Sequence, residues 1–322
     1  MVTVRELPSP FLIVDLDAVD RNIERMQRYC DEHALTLRPH VKTHKLPLLA
    51  HFQLAAGARG IACQKLGEAE VMAAAGIDDI LITFPLVGAE KAERFATLAA
   101  KARVSVGADS DVVARGLSAA LAEHVAALPG LELEGLMTHP GVAASSPWLR
   151  GARHLIEQRG LTVRRVSGGG TAGAFHLHEG GVFTELRAGT YVYGDRRLAA
   201  LGLMALEDCA LRVVAAVVSR PTDGRAILDA GSKTLTSDFS PGLDDGAYGL
   251  VVEYPDAILT RLSEEHGTLD LTGCDHRPEI GERVTIVPNH CCGAVNLHDE
   301  VALHHGGERV EIVPIPARGR VR

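Results

Sequence analysis

RPHVKTHKLPLLAHFQLAAGARGIACQKLGEAEVMAAAGIDDILITF, residues 38–84, alternates two kinds of segment. Short apolar runs, RPHVKTH (38–44), GIACQ (60–64) and DDILITF (78–84), read as strands, and the longer KLPLLAHFQLAAG (45–57) and GEAEVMAAAG (67–76) between them read as helices. A βαβα rhythm of this kind predicts a parallel sheet or barrel. Downstream it continues as AEKAERFATLAAKA (89–102, helix), VSVGA (104–108, strand) and DSDVVARGLSAALAEHVAAL (109–128, helix). Upstream, an extended FLIV (11–14) leads to Asp15 and Asp17, which can cap a helix whose apolar positions Val19, Ile23, Met26 and Cys30 fall at helical spacing. LEGLMTH (133–139), VRRVSGG (163–169) and ELRAGTYVYG (185–194) bring the barrel-type strands before residue 200 to seven, where a closed parallel barrel usually has about eight.

From about residue 208 the texture changes. CALRVVAAVVSRP (209–221), RAILDAG (225–231), GTLDL (267–271), RVTIVPNH (283–290), NLHDEVALHH (296–305) and RVEIVPI (309–315) read as β-branched strands joined by Gly/Pro turns. The expected organisation is a βα barrel over 16–203 and a mainly β domain over 204–322, with residues 1–15 contributing to the second. The arginine-rich end ARGRVR (317–322) reads as a solvated tail.

Composition narrows the function. Of 322 residues 46% are hydrophobic, and a net charge of −8 gives no field favouring nucleic acid or acidic membranes. The longest apolar stretches fall short of the ~20 residues that span a bilayer, and MVTVRELPSP lacks the basic start and apolar middle of a signal peptide. A cytoplasmic enzyme is the expectation. Cys30, Cys63, Cys209, Cys274, Cys291 and Cys292 are too sparse for a disulfide framework, leaving reduced thiols or one metal site.

Three motifs bear chemistry. In RPHVKTHK a period of two would put His40, Lys42 and His44 on one strand face. Lys42 desolvated among imidazoles and a further cation, Lys45, would be suited to attack a carbonyl; an exposed basic strand end is the bland reading, and spacing alone favours it. In VSGGGTAG, Gly168, Gly169 and Gly170 can form an anion nest for a phosphate. The match to GxGxxG through Gly168, Gly170 and Gly173 fails as a dinucleotide fingerprint, because the following AFHLHEGGV is short, His-rich and broken by glycine. In PNHCCGAVNLHDE, His290 and Cys292 can offer an imidazole and a thiolate to one divalent ion while leaving positions open; a buried thiol beside a hydrogen-bonded histidine is the alternative. His176 and His178 have the same spacing but lie in a glycine-rich loop and read as surface residues. A lysine, a phosphate cradle and a metal pair together suggest pyridoxal phosphate (PLP).

RPHVKTHK, ACQKLGEAE, DDILITFP, EGLMTHPG, SGGGT, ELRAGTYVYGD, ILDAGSKTLTSD, LSEEHG and PNHCCGAVNLHD, in that order, resemble the D-threonine aldolase and D-serine dehydratase family, PLP enzymes of the alanine-racemase-like fold. The resemblance runs nearly end to end. It implies an eight-stranded βα barrel followed by a β domain, assembled as a homodimer. It also implies that Lys42 carries the cofactor, that His139 lies against its ring, and that Ser167, Gly168, Gly169, Gly189, Thr190 and Tyr191 cradle its phosphate. Gln64, Arg187 and Tyr193 are further pocket members by position, Arg187 facing the pyridine nitrogen, and His290 and Cys292 fall on the family's pair for zinc or manganese. Two departures stand out. A strand with a GMGR-like motif, expected between Ala122 and LPGLELEG, is absent, and Val142 stands where relatives often have a second histidine. The resemblance implies cleavage of β-hydroxy-D-amino acids, with dehydration of D-serine or D-threonine, or PLP binding without catalysis, as the alternatives.

Overall fold

The computed structural model describes residues 3–110, 132–158, 160–239, 243 and 245–322. The helix expected over 109–128, and most of the stretch expected to lack a strand, lie outside the described residues. Cα packing divides the chain into two units, one of residues 1–22 and 190–318, the other of residues 23–189 and 319–322.

In the second of these units the βα rhythm gives seven short parallel strands among the described residues: β2 (Thr36–Leu37), β3 (Ile61–Cys63), β4 (Asp79–Ile82), β5 (Arg103–Val106), β6 (Gly135–Met137), β7 (Arg165–Gly168) and β8 (Glu185–Leu186). They pair as β3-β4-β5 and β2-β8-β7-β6, and a bridge between His40 and Ala62 joins the two sets. Six of the seven expected runs overlap the strands β3 to β8, while β2 lies just before the expected RPHVKTH. RPHVKTH, however, is not a continuous strand. Pro39 has no N–H to give a ladder, and after the His40 bridge the chain turns over 41–44, with Lys45 N donating to Val41 O at 2.8 Å.

Among the described residues β5 and β6 share no backbone ladder, yet side chains join them at both ends. Arg103 donates to Glu134 at 2.8 Å. At the other end Met137 Cε lies 2.6 Å from where a Cβ on Gly107 would be, so the flexible end of that side chain packs against the glycine.

Arg103 and Glu134 belong to a circuit of six alternating charges near the strands' N-terminal ends. Arg38 binds Asp79 at 2.7 Å, Glu134 binds Arg165 at 2.9 Å, Arg165 approaches Glu185 at 3.4 Å, and Glu185 returns to Arg38 at 2.8 Å. Asp79 acts on Arg103 through space and completes the circuit. Arg38 and Glu185 are both almost wholly buried, so their pairing satisfies charges that would be costly alone. Burial lowers the Arg38 pKa, but Glu185 and Asp79 outweigh it and the guanidinium lies above its ordinary value.

The C-terminal ARGRVR is exposed over residues 318–322, as a solvated tail would be, but its backbone is anchored. Its last four residues pack within this same unit, where Arg322 O accepts from Gly67 N at 2.9 Å and from Arg94 at 3.3 Å. FHLH is not a bare loop either. Thr171–Gly180 forms a 3-10 helix in which His176 is exposed while His178 bonds the Tyr29 hydroxyl at 2.9 Å and stacks on His33.

The other unit is mainly β, as its β-branched runs predict. β9 (Leu211–Thr222), β10 (Arg225–Leu228), β11 (Gly249–Val251), β12 (Ile258–Leu262), β13 (Gly267–Asp270) and β14 (Arg283–Pro288) close on themselves in the order β9-β10-β13-β12-β11-β14. β9 is long enough to serve two partners along one edge: its second half pairs with β10, its first half with β1 (Phe11–Asp15). Beyond β1 the sheet continues through β15 (Glu300–His305), parallel to β1, and β16 (Glu308–Pro314). Leu7, Ile13, Val214 and Ala302 bury together where these segments meet.

Candidate active site

The residues singled out in the sequence fall into two groups, one in each unit. In the barrel unit they stand at the C-terminal ends of the parallel strands, the end where βα barrels carry their chemistry. His40 and Lys42 follow β2, Gln64 follows β3, His139 follows β6, Ser167 and Gly168 end β7, and Arg187 and Gly189 follow β8. His40 is fully buried, and its pKa lies well below the usual imidazole value because of that burial and then because of Lys42 and Arg187. A neutral ring explains its contacts. Nδ1 accepts from Lys42 N at 3.4 Å, so the proton sits on Nε2, which lies 3.2 Å from the Thr83 hydroxyl. Thr83 in turn donates toward Gln64 Oε1 at 3.3 Å.

Lys42 is half-buried and, among the described residues, its amino group makes no hydrogen bond or ion pair. Lys45 differs: its ammonium pairs with Glu68, which is buried and also accepts from Gln64 N at 2.7 Å and Lys65 N at 3.2 Å. Of the two lysines, one is committed to structure and one is available. His139 is shifted down by desolvation, then by Lys42 and Arg187. Arg187 is buried, and burial lowers its pKa against the opposing pull of Glu185. Its Nη2 donates to Thr138 O at 2.6 Å and its Nε to Ser167 Oγ at 2.8 Å.

The glycines leave amides unbonded. Gly169 has φ +84°, and neither its N–H nor that of Gly170 meets a backbone carbonyl among the described residues. A Cβ on Gly170 would enter open space, whereas one on Gly189 would lie 2.8 Å from His40 O and 2.9 Å from Thr43 Oγ1. Free amides beside four cationic or imidazole groups, none of them paired with a carboxylate, fit a phosphorylated aldehyde. Ser167 departs from its expected role: its hydroxyl proton goes to Glu185 Oε1 at 2.6 Å and is not offered to a phosphate.

In the β unit, Thr190 and Tyr191 lie in a short 3-10 helix, Thr190–Val192, with Tyr191 and the following Tyr193 buried. Thr190 Oγ1 lies 3.9 Å from Cys292 Sγ. β14 ends at Pro288, and His290 then caps the helix Cys291–Leu297, so His290 and Cys292 meet across a helix start and not along a strand. His290 hydrogen-bonds Cys292, which raises its pKa to about 9 with help from Asp238. Asp238 Oδ2 holds His290 Nδ1 at 2.8 Å, an orientation that directs Nε2 toward a ligand. Buried Asp195, its pKa raised by desolvation, accepts from Leu198 N and Cys291 N. Among the described residues no group of three or more His, Cys, Asp and Glu side chains forms a metal centre. Two protein ligands and a carboxylate behind the histidine nevertheless suit a divalent ion that completes its shell with water. Thr83, Glu185, Asp195 and Asp238 were not read as site residues, since each acts through a partner far off in sequence.

A barrel with an unpaired lysine, a glycine nest and a following β domain defines the alanine-racemase-like class of PLP enzymes. The comparisons agree. A model described as "Alanine racemase, N-terminal domain" matches residues 14–123 and 87–197, and one described as "Putative serine dehydratase domain" matches residues 210–304. The chain belongs to the D-threonine aldolase family of PLP-dependent lyases. It is 33% identical to the D-threonine aldolase of Arthrobacter sp. over 97% of its own length and 93% of that protein. It is 30% identical to the D-threo-3-hydroxyaspartate dehydratase of Delftia sp. (strain HT23), over 90% of this chain and 92% of that one. The crystal structure of D-threonine aldolase from Filomicrobium marinum superposes with a TM-score of 0.85 at 33% identity, covering 98% of this chain and 97% of that one. The Arthrobacter alignment occupies 359 positions against 322 residues here, so that relative carries segments with no counterpart in this chain.

Proposed function

We propose that this protein is a PLP- and divalent-metal-dependent aldolase that cleaves β-hydroxy-D-amino acids of the D-threonine kind into glycine and an aldehyde. The observation that carries it is the Lys42 amine, left without a partner among His40, His139 and Arg187 at the strand ends. Bound PLP supplies the electron sink for the pair released when Cα–Cβ breaks. In this reading Lys42 holds the cofactor's aldehyde carbon, and the amides of Gly168, Gly169 and Gly189 with Thr190 and Tyr191 take its phosphate. Arg187 and Gln64 line its ring, and His139, lowered into its neutral form near pH 7, accepts and returns protons. His290 and Cys292 would hold zinc or manganese, whose Lewis acidity suits a β-hydroxyl. The cofactor half belongs to the barrel, 16–203, and the metal half to the β domain, 204–322. Among the described residues no helix is long and apolar enough to cross a membrane. The reading includes a homodimer in the cytoplasm that takes a small D-amino acid and neither nucleic acid nor membrane.

Aldol cleavage is preferred over dehydration because the likeness to D-threonine aldolases, at 33% identity and a TM-score of 0.85, exceeds that to the Delftia dehydratase, at 30% and 0.79. The similarity to the Delftia dehydratase keeps the second reading in play. Incubation with D-threonine, PLP and Mn²⁺ or Zn²⁺ separates them: glycine and acetaldehyde are expected, whereas 2-oxobutyrate and ammonia would replace the aldolase by a dehydratase.

A further inference from the structure

Glu185 opens β8 with 1% of its surface exposed, and its carboxylate has two tasks. Oε2 meets Arg38 at 2.8 Å and Arg165 at 3.4 Å, which closes the circuit of charges. Oε1 takes the Ser167 hydroxyl proton at 2.6 Å, and Ser167 faces Glu185 directly across the β7–β8 pairing. A serine hydroxyl has one proton. Once that proton points at Glu185, the oxygen's lone pairs are left for Arg187, whose Nε donates to them at 2.8 Å. Thr138 O holds Arg187 Nη2. A guanidinium is planar, so two bonds to different nitrogens fix its plane and leave Nη1 as its nitrogen without a partner among the described residues.

We propose that Glu185 is a positioning residue for the cofactor: acting through Ser167, it sets the plane of Arg187 and directs Nη1 to the bound ring. The inference rests on the PLP reading above. It assigns to the Ser167 side chain the orientation of an arginine, and it makes one buried carboxylate serve both barrel closure and cofactor geometry.

The test uses PLP itself as probe, added to cofactor-free full-length protein, with affinity and the absorption maximum of the bound cofactor as readouts and thermal unfolding as the control for folding. Ser167→Ala keeps every ion pair of the circuit, so its Tm should fall by no more than about 3 °C, while PLP affinity falls roughly tenfold and the absorption maximum moves. Arg187→Met should move the maximum in the same direction. In the Arg187→Met background, Ser167→Ala and Glu185→Gln should then add nothing to the loss of affinity, because their effect runs through the missing guanidinium. Losses as large in that background as in the parent would overturn the inference and leave the PLP reading standing. Failure of the unaltered protein to bind PLP would overturn both. Should Glu185→Gln not fold, the Ser167→Ala and Arg187→Met cycle decides alone.

Discussion

The two ends of the parallel strands present opposite electrostatics. Near the N-terminal ends, Arg38, Asp79, Arg103, Glu134, Arg165 and Glu185 alternate in sign, and each cation faces carboxylates. At the C-terminal ends, His40, Lys42, His139 and Arg187 gather with no carboxylate bonded to any of them among the described residues. The same unit therefore balances charge where it needs only to hold itself together and leaves charge unbalanced where an anion is to be received. Burial depresses both imidazoles first, and the positive potential of Lys42 and Arg187 adds to it. The balanced circuit also spans β5 and β6, which share no ladder among the described residues.

The sharpest way to break this contrast is to compare Lys42 with Lys45. Lys42→Ala should lower D-threonine cleavage by about 10²–10⁴-fold and remove the covalent adduct that borohydride fixes, with little change in unfolding. Lys45→Ala should keep the adduct but lose about 3–5 kcal/mol of stability, since it strands buried Glu68. The reverse pattern would exchange their roles. Next comes the metal. Chelation should lower turnover by at least about 10²-fold while PLP stays bound, and Asp238→Asn should weaken metal affinity about 10–100-fold by freeing the His290 ring. Full activity in a demonstrably metal-free sample would remove the metal from the account.

Within the circuit, depth should decide the cost. Arg38→Met leaves Glu185 and Asp79 without their buried cation and should cost about 3–5 kcal/mol in urea unfolding. Arg103→Met, at a side chain 53% exposed, should cost no more than about 1 kcal/mol. Equal costs would mean that the exposed pair carries the seam between β5 and β6. The smallest effect expected is the pH dependence of His40, which is faced by Lys42, Arg187, His139, Gln64 and Thr83. Its folded pKa lies below the unfolded value of 6.5, so its contribution to stability is whole above pH 6.5. As pH falls below 6.5 the unfolded chain takes a proton that the native site resists, and that contribution is lost down to the folded pKa. His40→Gln should reduce the acid-side slope of stability by up to about 1.4 kcal/mol per pH unit. An unchanged slope would show that the native ring takes up its proton as readily as the unfolded chain does.

How far the sequence could be read follows from the range of the interactions. Strand and helix alternation is local, and six of the seven expected strands were legible because each apolar run announces itself within a few residues. The spacing of the glycines and of His290 and Cys292 is local in the same way. The circuit was not: Arg38 and Glu185 are separated by 147 positions, and each of the six residues looks like an ordinary polar strand end on its own. Period-two reasoning grouped His40, Lys42 and His44 on one face. Pro39 and the turn at 41–44 instead send His44 to Gln53 at 3.2 Å, while Lys42 stays beside His40 through its backbone. The anchoring of the tail was hidden for another reason. Arginine-rich ends are usually solvated through their side chains, but this one is held by a backbone carbonyl that composition does not reveal.

β1 has a consequence for how the chain is made. Phe11–Asp15 takes its place between β9 and β15, so its neighbours Leu211–Val214 and Ala302–His304 emerge from the ribosome some 200 and 290 residues later. All seven strands of the barrel unit are synthesised in that interval, and their neighbours arrive one βα unit at a time. Vectorial synthesis thus favours early closure of the barrel, with Leu12, Ile13 and Val14 kept waiting as an unpaired apolar segment. β1 is enclosed only once strands made much later arrive, and until then its apolar edge is open to pairing with other chains.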